Sequence, residues 1–367
     1  MMPYVTRRKF IHSAAAAAGL VVPGGSNAPV GSVVHNGSEV PWLEEIQEPP
    51  PGDLEQRPSL LVSSNGEAIG ALSAWNEQRK TIRERWVDYV GPLDSNPNPP
   101  QLEVLEEDYP TGVVRRLVEY EGEPGIRVRG YLLVPRVIDR PRPGIVVFHS
   151  TVDHTIRQPA GLEGNPAKAF GLHLAQMGCV TFCPECFLWH ERDESDYYER
   201  TERFFARHSD ATGMAKMLFD AQRAVDVLES LDTVDPDRLG TIGHSLGAKE
   251  VIYLAAFDDR ITATVSSEGG ISTQFSNWEA PWYLGEAIDR FDHDHEELLA
   301  LIAPRPFLLI GGGSADGSRS WPFIEAVLPV YELFGDRPSI GLLDHEQGHA
   351  VPRVAEHRAY QWLLTYV

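Results

Sequence analysis

Two kinds of hydrophobic pattern divide the chain. From Val113 to Glu121 and from Ile126 to Val134 apolar and polar residues alternate, with Gly122-Glu-Pro-Gly125 between them. Alternation at period two marks half-buried strands, and the glycine-bounded gap makes the pair an antiparallel hairpin. Past Pro143 the alternation gives way to continuous apolar runs at 144–148, 179–182, 239–242, 261–265, 307–310 and 339–342. Such runs suit strands covered on both faces of a mostly parallel sheet. Between them apolar residues recur at helical spacing over 167–177, 211–231, 245–257, 296–302, 323–334 and 353–366. An earlier helix is predicted over 68–90, carrying Ile69, Leu72, Trp75, Ile82, Trp86 and Tyr89, and Pro92 stops it. An antiparallel start that feeds alternating strands and helices predicts an α/β fold, with a mostly parallel eight-stranded sheet and helices on both faces. No internal repeat is visible.

One stretch organises the rest. Gly243-His244-Ser245-Leu246-Gly247 lies between the apolar run 239–242 and an alanine-rich helix with Ala248, Ala255 and Ala256. Gly-x-Ser-x-Gly at a strand-to-helix turn is a nucleophile elbow: the serine takes a strained conformation, and glycines two residues either side let the two backbones pass. The antiparallel start and the alternating strands and helices together resemble the layout of an α/β-hydrolase sheet.

A serine hydroxyl is a weak nucleophile and needs a base, an orienting acid and oxyanion donors. In this fold they follow the order Ser, acid, His. The base is expected at His349, in a Gly-His turn before the last helix, with His345 as the other histidine of that segment. The acid is expected at Asp316, in Gly311-Gly-Gly-Ser-Ala-Asp316-Gly just past run 307–310, where a glycine-rich turn lets a carboxylate face the histidine. Glu268, just past run 261–265 in Ser266-Ser-Glu-Gly-Gly270, is the alternative acid. The oxyanion donors are expected to be the amide of Leu246 and that of Ser150, with Thr151 second, in the loop after run 144–148.

Composition narrows the partners. The 367-residue chain carries 32 basic and 53 acidic residues, a formal net charge of −21, which argues against nucleic acid. Thr6-Arg7-Arg8-Lys9-Phe10-Ile11 and the alanine-rich run to Val22 resemble a twin-arginine signal, with Ser26-Asn27-Ala28 a plausible cleavage site. Export to the periplasm or beyond, through the twin-arginine machinery, is therefore expected. No run has eighteen consecutive apolar residues, so no membrane span is expected. The expected organisation is a signal peptide over 1–28, a Pro/Gly-rich linker over 29–66 lying on the surface or partly disordered, an N-terminal helical extension over 67–110 and a catalytic domain over 111–367.

Three cysteines, Cys179, Cys183 and Cys186, read as buried or loop thiols, with room for one local disulfide in an oxidising compartment. Asp292-His-Asp-His-Glu-Glu297 has the composition of a ligand set, but six polar residues before an apolar helix read more simply as a solvated helix start. No metal and no organic cofactor is expected. Trp189, Trp278 and Trp282 fit equally a cleft for a ring-shaped substrate and buried loop anchors.

Over roughly 110–367 the chain resembles the dienelactone hydrolase-like and acetyl-xylan-esterase-like bacterial α/β-hydrolases. The resemblance rests on Gly-His-Ser245-Leu-Gly, Gly-Gly-Gly-Ser-Ala-Asp316, Gln-Gly-His349 and Pro-Ala-Gly-Leu-Glu-Gly164. It implies a Ser–Asp–His hydrolase of carboxylic esters, with small acyl, sugar or lactone esters as substrates. The chain is also similar to glucuronoyl esterases, whose acid stands where Glu268 does and which carry a lysine four residues past the nucleophile, as Lys249 is here. Those enzymes have Gly-Cys-Ser-Arg at the elbow, and this chain lacks that arginine. Two other readings share the scaffold: a peptidase of the prolyl-oligopeptidase kind, for whose propeller the N-terminal part is too short, and a non-catalytic binding protein.

Overall fold

The computed structural model describes residues 39–367 apart from 64, 92, 94, 95, 97 and 190–195. The twin-arginine pattern, its cleavage site and the first part of the proline-rich segment lie outside the described residues. The described residues lie within one compact unit.

Among the described residues nine strands make one sheet: β1 (Glu103–Asp108), β2 (Val113–Glu121), β3 (Arg127–Pro135), β4 (Arg142–Phe148), β5 (Val180–Pro184), β6 (Val234–His244), β7 (Ile261–Ser267), β8 (Phe307–Gly311) and β9 (Ile340–Asp344). Their order is β1-β2-β3-β5-β4-β6-β7-β8-β9. The first three strands and the β3–β5 pair are antiparallel, and every pair from β5 through β4 to β9 is parallel. This is the α/β-hydrolase arrangement. The strand beyond the expected eight is β1, which is exposed throughout and rich in acids. Cross-strand ion pairs hold it: Glu107 with Arg116, and Asp108 with Arg115.

Alternate side chains of each central strand enter opposite cores. Val146 and Phe148 of β4 face one layer, while Ile145 and Val147 face the other. The first layer holds α1 (Leu72–Val90), α4 (Gly213–Glu229), α5 (Leu246–Phe257), α6 (Glu296–Ile302) and α7 (Trp321–Glu332). The second holds α2 (Phe170–Gln176) and α8 (Arg353–Tyr366). A further helix, α3 (Tyr197–Phe205), stands before α4 and is additional to the helices expected from the sequence. Helix α1 buries Trp75, Ile82, Trp86 and Val90 on one stripe. Its Arg83 donates to the carbonyls of Ala256 and Phe257, so it caps the C-terminus of α5.

The segment expected to be a surface linker is packed at its described start. Val40, Trp42, Leu43 and Ile46 are buried in the second core, with the Trp42 ring 5.8 Å from that of Trp362. Four apolar residues in seven outweigh the Pro/Gly composition around them.

Candidate active site

Strand β6 ends at His244 and α5 begins at Leu246, which leaves Ser245 alone at the turn with φ 60° and ψ −115°. A non-glycine residue in that region persists only where its surroundings over-determine it. Here the Ser245 amide donates to the Ser267 carbonyl at 2.9 Å, tying the elbow to β7. The flanking glycines are required by contact. A Cβ on Gly243 would lie 2.2 Å from the backbone of Gly247, and one on Gly247 would lie 2.6 Å from the Phe148 carbonyl oxygen. The Leu246 N–H is the first amide of α5, where no helical carbonyl is available to accept from it.

His349 lies on the loop between β9 and α8, with its side chain 42 % exposed. Its ring packs 4.6 Å from that of His244, the residue before Ser245. Its Nδ1 is 3.0 Å from Oε2 of Glu268, which is wholly buried. Glu268 follows β7 directly, at φ 54°, another strained non-glycine position. Its carboxylate accepts from the amides of Gly312 at 2.5 Å, Ala315 at 2.9 Å and Asp316 at 3.3 Å. Burial pushes the Glu268 carboxyl up, but the hydrogen bonds from His349, Ala315 and Gly312 outweigh it and hold the group below its usual range. With Nδ1–H donating to that carboxylate, Nε2 is the nitrogen left for the serine. No hydrogen bond joins Ser245 Oγ to His349 among the described residues, as is common before substrate binds.

Asp316 is placed differently from the sequence expectation. Its Oδ2 accepts from the Gly270 amide at 2.7 Å and its Oδ1 from the Ile271 amide at 2.8 Å and the Ser320 hydroxyl at 2.9 Å. Both oxygens are thus committed to the loop that leaves Glu268, and the carboxylate on His349 is that of Glu268. The expected geometry fails because the 311–317 turn directs its amides, rather than the Asp316 side chain, toward the histidine's partner. Burial raises the Asp316 carboxyl despite the two amides and the hydroxyl. The other histidine, His345, accepts from the Gln347 amide through Nδ1 and shapes the loop.

The oxyanion expectation also changes at one position. The Ser150 amide points to Gln158 Oε1 at 3.3 Å, so the buried Gln158 competes for it. Thr151 carries the next amide of that loop, and it donates to no group among the described residues. His149 fixes the loop's root. Its Nε2 accepts from the Cys186 amide, so its Nδ1 donates to the Ser150 carbonyl at 2.7 Å. Burial holds this imidazole neutral, with a pKa of about 4. Gln158 and Lys168 were not singled out in the sequence. Lys168, half-buried, has its amine lowered by burial, which the charge of Glu268 partly offsets. Burial, with Lys168 and His349 nearby, also keeps His244 neutral.

Lys249, one helical turn past Ser245, is buried. Its Nζ donates to Ser276 Oγ at 2.7 Å and sits 3.7 Å above the Trp278 ring. Burial lowers its pKa to about 7. Of the three tryptophans, Trp278 is a buried anchor that donates to the Gly270 carbonyl, and Trp189 packs against His149. Trp282 is half-buried, with its ring near Tyr197 and Tyr198.

The 292–297 stretch is engaged within the fold instead of standing as a solvated helix start. Asp294 accepts from Ser272 and Thr273, His295 joins Tyr253 to the Ile271 carbonyl, Glu296 holds Arg57, and Glu297 accepts from Trp86. The contacts of Asp294 and His295 pin the loop that follows Glu268. The three cysteines are buried free thiols. Among the described residues no helix is long and apolar enough to cross a membrane.

The family model for the dienelactone hydrolase family matches residues 128–281, from β3 through the elbow to the loop after Glu268. YtaP of Bacillus subtilis (strain 168), a protein given the general name of hydrolase, is 34 % identical over 283 residues, covering 73 % of this chain and 91 % of its own. The chain belongs to one family with YtaP, within the α/β-hydrolase superfamily. It is a carboxylic ester hydrolase, and the non-catalytic reading falls away. This hydrolase is also similar to carbohydrate esterase MZ0003, from an unknown prokaryotic organism, at 24 % identity over 40 % of this chain and 38 % of the other. Among solved structures, a glucuronoyl esterase from Solibacter usitatus superposes with a TM-score of 0.69 at 18 % identity, covering 87 % of this chain and 99 % of that one. At that identity the likeness shows the shared fold.

Proposed function

We propose that the enzyme cleaves the ester of a sugar acid, of the glucuronoyl type, through a Ser245–His349–Glu268 triad. The single observation that supports this choice of acid is the 3.0 Å contact between His349 Nδ1 and the wholly buried Glu268 carboxylate. Ser245 Oγ attacks the ester carbonyl as His349 Nε2 takes its proton. Glu268 holds the ring and stabilises the imidazolium. The Leu246 amide and an amide of the 150–151 loop receive the oxyanion. His349 then protonates the departing alcohol, and a water, deprotonated by the same nitrogen, releases the acid.

The substrate class is supported by three features. The acid stands at the strand end seen in the sequence resemblance to glucuronoyl esterases, and Lys249 keeps its place relative to the serine. The loop after Glu268 also borders a cavity of about 690 Å³ that no triad residue lines; its wall of Gln274, Asn277, Glu279, Asp289, Phe275 and Phe291 is polar with an aromatic side, which suits the hydroxyls of a sugar ring. Leu246 stands where those esterases carry arginine, and Lys168, on another loop, is a positive charge that acts on Glu268.

The test compares methyl glucuronate ester with p-nitrophenyl acetate, using wild type and Ser245→Ala. The proposal expects both esters to be cleaved, kcat/KM to be higher for the uronate ester, and both activities to be lost in the variant. Cleavage of the acetate alone would remove the substrate assignment and leave the triad standing. Full activity in Ser245→Ala would remove the triad.

A further inference from the structure

His349 has to be held more firmly than one hydrogen bond can hold it. It lies on a loop with its side chain 42 % exposed, and among the described residues its ring makes one hydrogen bond, to Glu268. The loop backbone beside it is fixed, since the Gly348 amide donates to the Gly312 carbonyl at 2.7 Å. The side chain has more freedom. A bond at Nδ1 pins one point of the ring, and turning about that point swings Nε2 away from Ser245. Proton transfer needs Nε2 within hydrogen-bond reach of the hydroxyl. A second constraint has to act on the face of the ring, because Glu268 already holds its edge.

His244 presents that face. It ends β6, directly before Ser245, and is 1 % exposed. Its ring lies 4.6 Å from the His349 ring, at an interplanar angle of 46°. His244 is itself oriented by its strand neighbour, with Nδ1 3.1 Å from the Ser267 hydroxyl. Ser267 is a shared anchor. Its carbonyl accepts from the Ser245 amide at 2.9 Å, its hydroxyl meets His244, and the next residue is Glu268. Nucleophile, ring face and acid are thus tied to one short piece of backbone. Burial keeps His244 uncharged, and Lys168, His349 and His345 push the same way against a contact with the His349 backbone. No second positive charge therefore stands beside the imidazolium that forms on His349.

We propose that His244 is a positioning residue for the base, its ring the surface against which the His349 imidazole is held while Nε2 faces Ser245. This inference rests on the triad proposed above. The bond to Ser267 orients the His244 ring, and the ring does the positioning. A flat aromatic side chain of similar size should replace it, and a flexible polar one should not.

The test is steady-state hydrolysis of p-nitrophenyl acetate by His244→Phe, His244→Gln and His244→Ala, with Ser245→Ala beside them and a thermal melt of each. The Gln and Ala variants should lose about ten- to hundredfold in kcat, with KM within about twofold of wild type. His244→Phe should keep kcat within about fivefold of wild type. Phe and Gln both fill the site, so their difference decides the outcome if the cavity left by Ala prevents folding. A Phe variant as slow as Gln overturns the proposal. So does a loss carried by KM, or folded Gln and Ala variants that turn over like wild type. Those results leave the triad standing as long as Ser245→Ala is dead. An active Ser245→Ala removes the triad and this inference with it.

Discussion

Replacing Glu268 by Gln tests the acid most directly, and the structure gives the magnitude. The charged oxygen and the His349 ring it stabilises are in hydrogen-bond contact at 3.0 Å, with charge centres roughly 4 Å apart. At an effective dielectric near 20, a full charge pair at that separation is worth about 4 kcal/mol. That corresponds to about 10³-fold in rate. His349 is 42 % exposed, so water screens part of this, and a loss of about 10² to 10³ in kcat/KM is expected. Geometry adds to it. All the groups on Glu268 are donors, namely three amides and Nδ1–H, so a glutamine must turn its NH₂ toward some of them. Asp316→Asn is the matched control. Its partners are also donors, but they belong to the 270–271 loop and Ser320, so it should cost about 1 to 3 kcal/mol of stability and less than tenfold in kcat/KM. The assay is p-nitrophenyl acetate hydrolysis by both variants, with thermal melts showing that each is folded. A folded Asp316→Asn that is dead, beside a Glu268→Gln with near-wild-type turnover, refutes the reasoning.

Three further outcomes follow from buried groups. Gly247→Ala drives a Cβ to within 2.6 Å of the Phe148 carbonyl oxygen, so it should destabilise by about 2 to 4 kcal/mol and abolish turnover, read from denaturant unfolding and activity together. His149, held at about 4 by burial, binds fewer protons folded than unfolded between that value and its ordinary 6.5. Stability should therefore fall by about 3 kcal/mol as pH drops through this window, and His149→Gln should remove that part of the slope. Asp220, raised to about 6 mainly by burial, opposes the trend equally in both proteins and cancels in the comparison. Lys249, lowered by burial to about 7, also binds fewer protons folded than unfolded, here from about 7 up to its ordinary 10.5. Its contribution makes stability rise with pH in that range, on the order of 4 kcal/mol, and Lys249→Met should flatten the rise in unfolding curves taken between pH 7 and 10.

The central strands and most helices were legible because burial on both faces writes itself into sequence as unbroken apolar runs. The helix expected at 296–302 coincides with α6, and that at 353–366 with α8. Elements stabilised by something other than burial were not legible. Strand β1 buries nothing and is held by pairing to β2 and by ion pairs of its acids with Arg115 and Arg116. Helix α3 buries only Thr201 and Phe204, too few for a period, yet it carried a start signal in Asp196, whose side chain accepts from the Glu199 amide. The packing of Trp42 and Ile46 was hidden because their partners, Trp362 and Gly341, lie some three hundred residues further on.

The elbow was legible for a different reason: two glycines and a serine at fixed spacing encode a steric requirement that β6 and α5 impose together. The acid was harder, because the glycine-rich turn after β8 is a sound signal whose meaning is ambiguous. A Cβ on Gly312 would lie 2.1 Å from the Gly348 carbonyl oxygen, so the turn is glycine-rich partly to let the His349 loop sit against it. That proximity suits either of two designs. The turn can aim its own carboxylate at the histidine, or it can wrap its amides around a carboxylate arriving from β7. Sequence spacing does not separate these, since both need the same glycines beside the same loop. Here the Gly312, Ala315 and Asp316 amides close on Glu268, while the Asp316 side chain ties down Gly270 and Ile271. Each acid thus holds the backbone that carries the other. A Glu268→Ala variant should consequently not be rescued by Asp316, whose two oxygens already have three donors and whose loop loses the carboxylate that its amides enclose.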